Sequence, residues 1–248
     1  CFVVSVVSFV VALRGCGDKD VPWAVPSDGH NGVGAFEGRG GLKTGVGVGQ
    51  GRHFRPGTAR HVVGMFLPNA LLKALAQVRP EQAMAEGSGA VWTMQVNGSH
   101  PDGSPFITAM FTYAGGVGAR ASKPGLDACS YPTGVSAVPI EVVEASAPIR
   151  FHQKALRADS GGKGAQPGGR GQVIEFSVAT DQSWQLNAVT SRLEEPPQGV
   201  FGGEPGDSGA FLVNGDAVKT QERITLSGDD VVRLELPGGG GYGEPEPT

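Results

Sequence analysis

The sequence predicts an α+β fold rich in β-structure, in which short strands form mixed or antiparallel sheets and one clear helix lies near residues 68–79. Two observations support this prediction. The chain holds 41 glycines and 18 prolines, together 59 of its 248 residues, and both residue types interrupt helices. Apolar residues also alternate with polar ones in short runs, a period of two that is typical of strands with one buried face.

The helical segment is residues 67–79. Leu71, Leu75 and Val78 recur at spacings of four and three positions, which places them on one face of a helix. Pro68 suits the first turn, where a missing N–H costs little. Pro80 is expected to end the helix.

The predicted strands follow this helix and are separated by turns that contain Gly or Pro. Four of them are apolar runs: Val91–Val96, Phe106–Tyr113, Pro139–Val143 and Ile149–Leu156. Two others alternate, with the buried positions predicted at Ile174, Phe176 and Val178, and at Val232, Leu234 and Leu236. No fixed repeat is present, which argues against a solenoid or a propeller.

Residues 1–56 form an uncertain N-terminal stretch. The apolar run of residues 2–13 is too short to span a bilayer as a helix, and its β-branched content favours a buried strand. Residues 28–51 contain ten glycines, so we expect a long loop, a disordered stretch or the product of a reading-frame error. The first residue is Cys1 rather than Met, and we therefore interpret the chain as a fragment of a longer protein.

Charge and cysteine content narrow the possible functions. The chain has 20 Lys and Arg against 24 Asp and Glu, a net charge of −4, which argues against a basic nucleic-acid binder and a polybasic membrane-surface protein. The three cysteines include no C-x-x-C pair, so we expect reduced thiols in a cytoplasmic protein. The five histidines show no metal-binding spacing, and no phosphate-binding loop motif occurs.

One alternative is a serine hydrolase. Gly206–Ala210 resembles the nucleophile segment of trypsin-like proteases, with Ser208 as the nucleophile. Thr58–His61 is faintly similar to the histidine segment, and Asp102 would complete a triad in the right order. The other interpretation of Gly206–Ala210 is a polar turn between two strands.

Two glycine-rich segments are candidate binding elements. Asp159–Gly171 can form a loop whose backbone amides face an anion, with Lys163 and Arg170 supplying positive charge. It can equally be an ordered structural loop, and both interpretations stay open. In Pro237–Pro245, four consecutive glycines allow close approach of another backbone or a ligand, and Tyr242 suggests that the segment is anchored.

Six segments together are similar, in order and separation, to the C-terminal part of the hydantoinase B/oxoprolinase family. They are Ala114–Arg120, Pro139–Glu144, Asp159–Gly162 with Gly168–Gly171, Phe201–Gly206, Gly228–Asp229 and Pro237–Pro245. The resemblance therefore assigns residues 57–248 to the C-terminal part of such a domain. It also disfavours the protease interpretation, because Gly206–Ala210 overlaps the family segment Phe201–Gly206.

The resemblance implies a B-type subunit that takes part in ATP-dependent opening of a cyclic amide such as a hydantoin or 5-oxoproline, or in a related carboxylase. An A-type subunit would be the partner and would bind ATP and magnesium. The chain itself would hold no cofactor, and any metal would belong to the family's N-terminal half, which is missing here. The alternative is a non-catalytic or degenerate subunit.

The resemblance also implies where the site lies, near the two glycine-rich segments. The expected catalytic residues are Asp159, Ser160 and Arg170. The expected substrate-binding residues are Gly161, Gly162, Lys163, Gly238, Gly239 and Gly240. Glu141 and Glu144 are either acid/base residues or structural partners at a strand edge.

Overall fold

The computed structural model describes residues 2–6, 9–13, 33–34, 47–48, 60–218 and 223–246. The chain divides into two compact units, residues 1–60 and 61–248. In the first unit, β1 (Phe2–Val6) pairs antiparallel with β2 (Phe9–Leu13), and β3 (Val33–Gly34) pairs antiparallel with β4 (Gly47–Val48). The strand predicted in residues 2–13 is thus a hairpin. Apart from β3 and β4, the glycine-rich stretch 28–51 lies outside the described residues.

The predicted helix is present but longer than expected. Helix α1 spans Arg60–Ala76 and contains Pro68 in its interior, whereas the sequence pattern predicted a start at residue 68. The apolar face begins earlier than Leu71, because Met65 is buried and Phe66 packs beside it. Packing of this face outweighs the hydrogen bond that a proline removes from a helix.

Residues 139–143 were predicted as a strand, and that prediction is wrong. Helix α2 spans Ile140–Ser146. Val143 and Ala147 are buried while Val142 is exposed, which is the spacing of one helical face rather than strand alternation. A short run of β-branched residues cannot distinguish the two patterns by composition.

The second unit is built on two antiparallel sheets. Their strands are β5 (Trp92–Ser99), β6 (Pro105–Tyr113), β7 (Ile149–Leu156), β8 (Gln172–Val178), β9 (Trp184–Val189), β10 (Ala210–Val213), β11 (Asp216–Ala217), β12 (Ile224–Leu226) and β13 (Val231–Glu235). One sheet has the order β11-β10-β13-β8-β7, and the other has the order β12-β9-β5-β6. A 3-10 turn, Pro80–Gln82, follows α1.

The larger of two buried hydrophobic clusters in the described residues draws on both sheets. Its largest fully buried side chains include Trp92 and Trp184 from one sheet, and Phe176 and Phe211 from the other. The predicted alternation is confirmed in both β8 and the β13 region, since Ile174, Phe176, Val178, Val232, Leu234 and Leu236 are all buried.

Strand register brings the glycine-rich segments to one end of this core. Val173, at the start of β8, pairs with Glu235 at the end of β13, and Ala210, at the start of β10, pairs with the same residue. In the other sheet, β6 ends at Tyr113, directly before the Ala114–Gly118 segment. The chain therefore enters or leaves four strands through glycine-rich segments.

Candidate functional site

These segments form one packed structure, which we call the glycine bundle. It consists of residues 114–119, 160–171, 198–206 and 237–243, and its central segment is residues 237–243. Backbone hydrogen bonds run from segment to segment, for example from Gly169 N to Val117 O at 2.9 Å and from Gly162 N to Gly239 O at 2.8 Å. The predicted loops are thus brought together.

The amides of the central segment donate to three other stretches of the chain. The amide of Gly238 donates to Asp207 O, that of Gly239 to Gly169 O, that of Gly240 to Glu86 O and that of Gly241 to Glu204 O, at 2.8–3.1 Å. A β-strand would direct its amides to two neighbours only. The extended segment is therefore surrounded by other backbones.

Close backbone contact explains why glycine is required here. A Cβ atom on Gly239 would overlap the carbonyl oxygen of Val117, and one on Gly116 would overlap the carbonyl oxygen of Gly169. Both obstacles are backbone atoms, which cannot move aside as a flexible side chain can. The glycines allow the segments to approach closely enough for their amides and carbonyls to meet.

The residues expected to be catalytic lie close to one another at the two ends of residues 159–171. Ser160 is fully buried, and its hydroxyl donates to Arg157 O and accepts from Gly171 N, both at 2.9 Å. Asp159 is exposed and has a positive φ of 52°. Arg170 is exposed and lies near Asp159, whose charge contributes to raising the pKa of Arg170, although the larger cause is Asp127.

The residues expected to bind substrate are also in the bundle. The amides of Gly162, Gly238, Gly239 and Gly240 all donate to backbone carbonyls, so in this geometry they serve the packing of the bundle. Gly161 packs against Gly168, and Lys163 is exposed while its carbonyl accepts from Glu204 N at 2.7 Å. Their role toward a substrate stays a prediction.

Asp127 is a site residue that the sequence pattern did not indicate. Its Oδ1 accepts from Arg170 N at 2.6 Å, and its Oδ2 accepts from Arg170 Nε at 3.0 Å and from Nη2 at 2.6 Å. The Arg170 side chain holds the pKa of Asp127 below its usual range. No motif links two residues that are 43 positions apart, so no signal in a single sequence could have paired them.

A cavity of about 420 Å³ opens beside this ion pair. It is lined by Asp127–Ser130, Gly134–Ala137 and Gln172. The long loop between the bundle and α2 forms most of its wall. Gln172 is buried and donates from Nε2 to Ala114 O at 2.8 Å, which connects the cavity to the bundle. Sequence analysis did not single out this loop.

A second polar cluster contacts the bundle through Glu86. The buried carboxylate of Glu86 contacts Lys73 Nζ at 2.9 Å and Arg192 Nη2 at 3.0 Å, and Gln198 N donates to it at 3.2 Å. Burial alone raises the pKa of Glu86, but Arg192 and Lys73 outweigh this effect, so the pKa lies below its usual value. The cluster ties α1 to the bundle.

Other sequence candidates are placed in structural contacts. Glu144 accepts from Phe151 N at 2.8 Å, so it contacts β7 as a structural partner, one of the two alternatives that the sequence left open. Asp102 accepts from Ser104 in the β5–β6 turn, and Ser208 O accepts from Arg157. No hydrogen bond among the described residues joins Asp102 or Ser208 to a histidine. Tyr242 is anchored as expected, since its hydroxyl donates to Pro80 O at 2.7 Å.

Metal-ligand clusters and membrane-spanning helices are both absent from the described part of the chain. Its residues include no group of three His, Cys, Asp or Glu side chains placed to hold a metal ion. Neither helix in these ranges has the length and hydropathy needed to cross a bilayer.

Comparison with known proteins identifies relatives of the chain. The B-type subunit of a putative D-/L-hydantoinase from Pseudomonas sp. (strain NS671) is 30% identical over 199 residues, covering 77% of this chain and 33% of the relative. A 5-oxoprolinase from Dictyostelium discoideum is 30% identical over 139 residues, covering 54% of this chain and 11% of the relative. The chain thus spans between about a tenth and a third of the length of these relatives.

A solved structure has a similar fold. The crystal structure of an ATP-dependent caprolactamase from Pseudomonas jessenii matches with a TM-score of 0.61 and 25% identity, covering 73% of this chain and 33% of that one. The sequence profile described as Hydantoinase B/oxoprolinase matches residues 48–245, a range that contains the whole glycine bundle. This chain is a member of the hydantoinase B/oxoprolinase family.

Proposed function

We propose that the chain is part of a B-type subunit of an ATP-dependent hydrolase that opens a cyclic amide. The observation that carries this proposal is the family match over residues 48–245, together with relatives named for hydantoin, 5-oxoproline and caprolactam. Two of those relatives are named as subunits, so we further propose an A-type partner that binds ATP and magnesium in the cytoplasm.

The proposed chemistry needs two polypeptides to share one intermediate. On the partner, the carbonyl oxygen of the ring takes the γ-phosphoryl group of ATP and ADP leaves. A water molecule then adds to the activated ring carbon, and the C–N bond breaks to release the amine and leave an acyl phosphate. A second water hydrolyses the acyl phosphate to a carboxylate and inorganic phosphate. The B-type chain would hold the ring during these steps, which lowers the entropic cost of reaction.

The edge of the bundle is where this chain would act. Arg170 offers a guanidinium at an exposed position, Asp159 lies near it, and the Arg170 side chain donates to Asp127, which lines the cavity. A cation held in place by a carboxylate is oriented before the ligand arrives, and such preorganisation is the main source of electrostatic stabilisation in enzymes.

A second candidate is a non-catalytic subunit that only folds and docks. One observation favours it: the amides of Gly162, Gly238, Gly239 and Gly240, which the sequence analysis assigned to substrate binding, already donate to backbone carbonyls. Under this alternative the glycines are purely structural.

The test is to purify the protein with the subunit that accompanies it and to measure ADP formation and ring opening together. We expect ATP hydrolysis that depends on a cyclic amide and releases one ring-opened product for each ADP. ATP hydrolysis that ignores every cyclic amide offered, or that proceeds equally well without this chain, would overturn the proposal and favour the non-catalytic alternative.

A further inference from the structure

We propose that the cavity beside Asp127 is the ring-binding site and that it takes an uncharged cyclic amide, of the hydantoin or lactam type, in preference to a ring that carries a carboxylate. This inference rests on the proposed function, which it refines by naming a binding site and the charge of its ligand. None of the lining residues except Asp127 belongs to the ion pair described above.

The size of the cavity fits a small ring. Its volume of about 420 Å³ lies within the range of about 300–1,000 Å³ that small-molecule sites occupy. One wall is fixed, because Ala128 N donates to Arg170 O at 2.8 Å and Cys129 N donates to Gly115 O at 3.1 Å. The opposite wall is the turn in which Gly134 N donates to Ser130 O at 2.6 Å.

The charge of the cavity selects a neutral ligand. Asp127 is the one charged residue among the described residues that line it. Arg170, which donates to both oxygens of this carboxylate, does not itself line the cavity, so no lining residue supplies a positive charge to an anionic ligand. A carboxylate placed beside Asp127 would be repelled and would lose hydration without gaining a partner.

The polar groups in the cavity match those of a ring amide. Each amide group of the ring presents an N–H donor and a carbonyl acceptor side by side. The Gln172 carboxamide is held by its bond to Ala114 O, and its own oxygen is an acceptor suited to the ring N–H. The hydroxyl of Ser130, a buried residue in the same wall, can donate to the ring carbonyl.

Backbone strain marks the same wall. Ala128 has a φ of 46°, a left-handed conformation that a residue with a Cβ rarely adopts. Its hydrogen bond to Arg170 O maintains this conformation, and strained residues of this kind cluster at ligand sites. This backbone conformation lies between Asp127, which contacts Arg170, and Cys129, which lines the cavity.

The experiment compares two phenylalanine substitutions at adjacent positions of one loop. Ala137 lines the cavity, whereas Val138, the next residue, is exposed and does not line it. Binding of hydantoin, caprolactam and 5-oxoproline to the purified complex is measured by calorimetry without ATP. Ala137→Phe is expected to weaken hydantoin or caprolactam binding by about tenfold or more, as loss of pocket space does. Val138→Phe is expected to leave it unchanged.

Each outcome decides one part of the inference. Equal binding by both variants and the unmodified protein, or no binding of any neutral ring, would overturn the site. Tighter binding of 5-oxoproline than of both neutral rings would overturn the preference for an uncharged ligand. Selective loss in Ala137→Phe without any ATP-coupled turnover would support the site while refuting the proposed function. ATP-coupled turnover that is unchanged in Ala137→Phe would support the proposed function while refuting the site.

Discussion

Arg170 and Asp127 are joined by three hydrogen bonds across 43 positions of sequence, one from the backbone amide of Arg170 and two from its guanidinium. The backbone bond fixes where the Asp127 loop meets the glycine bundle, and the side-chain bonds fix the direction of the guanidinium. One carboxylate therefore sets both the wall of the cavity and the orientation of the nearest exposed cation.

Arg170→Ala tests whether this orientation matters for turnover. The pair is largely exposed, with 48% of the Arg170 side chain accessible, so we expect little change in stability. We expect kcat/KM for the cyclic amide to fall by about ten- to a hundredfold, because small misplacements near reacting groups are costly. Steady-state kinetics of the complex measures both parameters.

Two further variants sharpen the Arg170 experiment. Arg170→Lys keeps the charge but loses the planar guanidinium, whose Nε and Nη2 both donate to Oδ2 of Asp127. We expect its kcat/KM to fall between those of the alanine variant and the unmodified protein. Arg79→Ala removes another arginine paired with an exposed carboxylate, Glu81, and should have no effect on turnover. ATP-coupled turnover by Arg170→Ala at the normal rate would exclude Arg170 from the mechanism.

Asp127 predicts a specific dependence of stability on pH. Its pKa is lowered in the folded protein, mainly by the Arg170 side chain. Its contribution to stability is therefore fully present above the pKa of an unfolded aspartate, about 3.9, and is lost as the pH falls through the lower folded value. The free energy of unfolding of Asp127→Asn should lie below that of the unmodified protein at neutral pH. We expect this difference to shrink as the pH drops below about 4. Urea unfolding at a series of pH values measures this, and a difference that widens in acid would contradict it.

Glu86→Gln tests the buried cluster. Removing the carboxylate leaves Lys73 and Arg192 without their common partner, and breaking a buried ion pair in this way costs about 3–5 kcal/mol. Only 5% of the Glu86 side chain is exposed, against 59% of Glu81. Glu81→Gln is therefore the matched control, and its free energy of unfolding should stay close to that of the unmodified protein. Equal effects of the two changes in urea titrations would show that the cluster is not stabilising.

Local patterns predicted the strands well and the site only in part. The alternation around Ile174 and Val232 predicted the buried faces correctly, because each of these strands packs one face on the core and leaves the other more exposed. Residues 139–143 misled, since Ile140 and Val143 satisfy strand propensity as well as a helical face. Pro68 also misled, because a proline suits a first turn, and only the packing of Met65 and Phe66 shows that α1 begins before it.

Partners distant in sequence could not be inferred. The amide of Gly240 donates to Glu86 O, more than 150 positions away, and nothing in a run of four glycines specifies that acceptor. The same holds for Asp127 with Arg170. A single sequence shows that glycines permit close approach, but only the fold shows which backbone approaches them.

Alanine substitutions at two glycines, Gly239 in the bundle and Gly64 in α1, are expected to change stability in opposite directions. Gly239→Ala places a Cβ against Val117 O, and because backbone must shift we expect a loss of about 1–3 kcal/mol or more, as in other overpacked sites. Gly64 lies in α1, and a Cβ there meets nothing within 4 Å, so Gly64→Ala should stabilise the helix by up to about 1 kcal/mol. Thermal unfolding of the two variants measures both. A Gly239→Ala protein as stable as the unmodified one would show that the segments are not tightly packed.

Ser160→Ala separates a structural serine from a nucleophile. The hydroxyl of Ser160 is buried and bridges Arg157 O and Gly171 N. Removing it leaves the buried Gly171 N–H without its acceptor, which costs about 1–3 kcal/mol, and takes a donor from the partly buried Arg157 O. We expect a lower free energy of unfolding and a normal kcat at temperatures where the variant is folded. Ser208→Ala is the matched control, because the contact of Ser208 with Arg157 uses its backbone carbonyl, and neither stability nor kcat should change. A folded Ser160→Ala protein without activity would restore Ser160 as the nucleophile, and an inactive Ser208→Ala protein would favour the serine-hydrolase alternative.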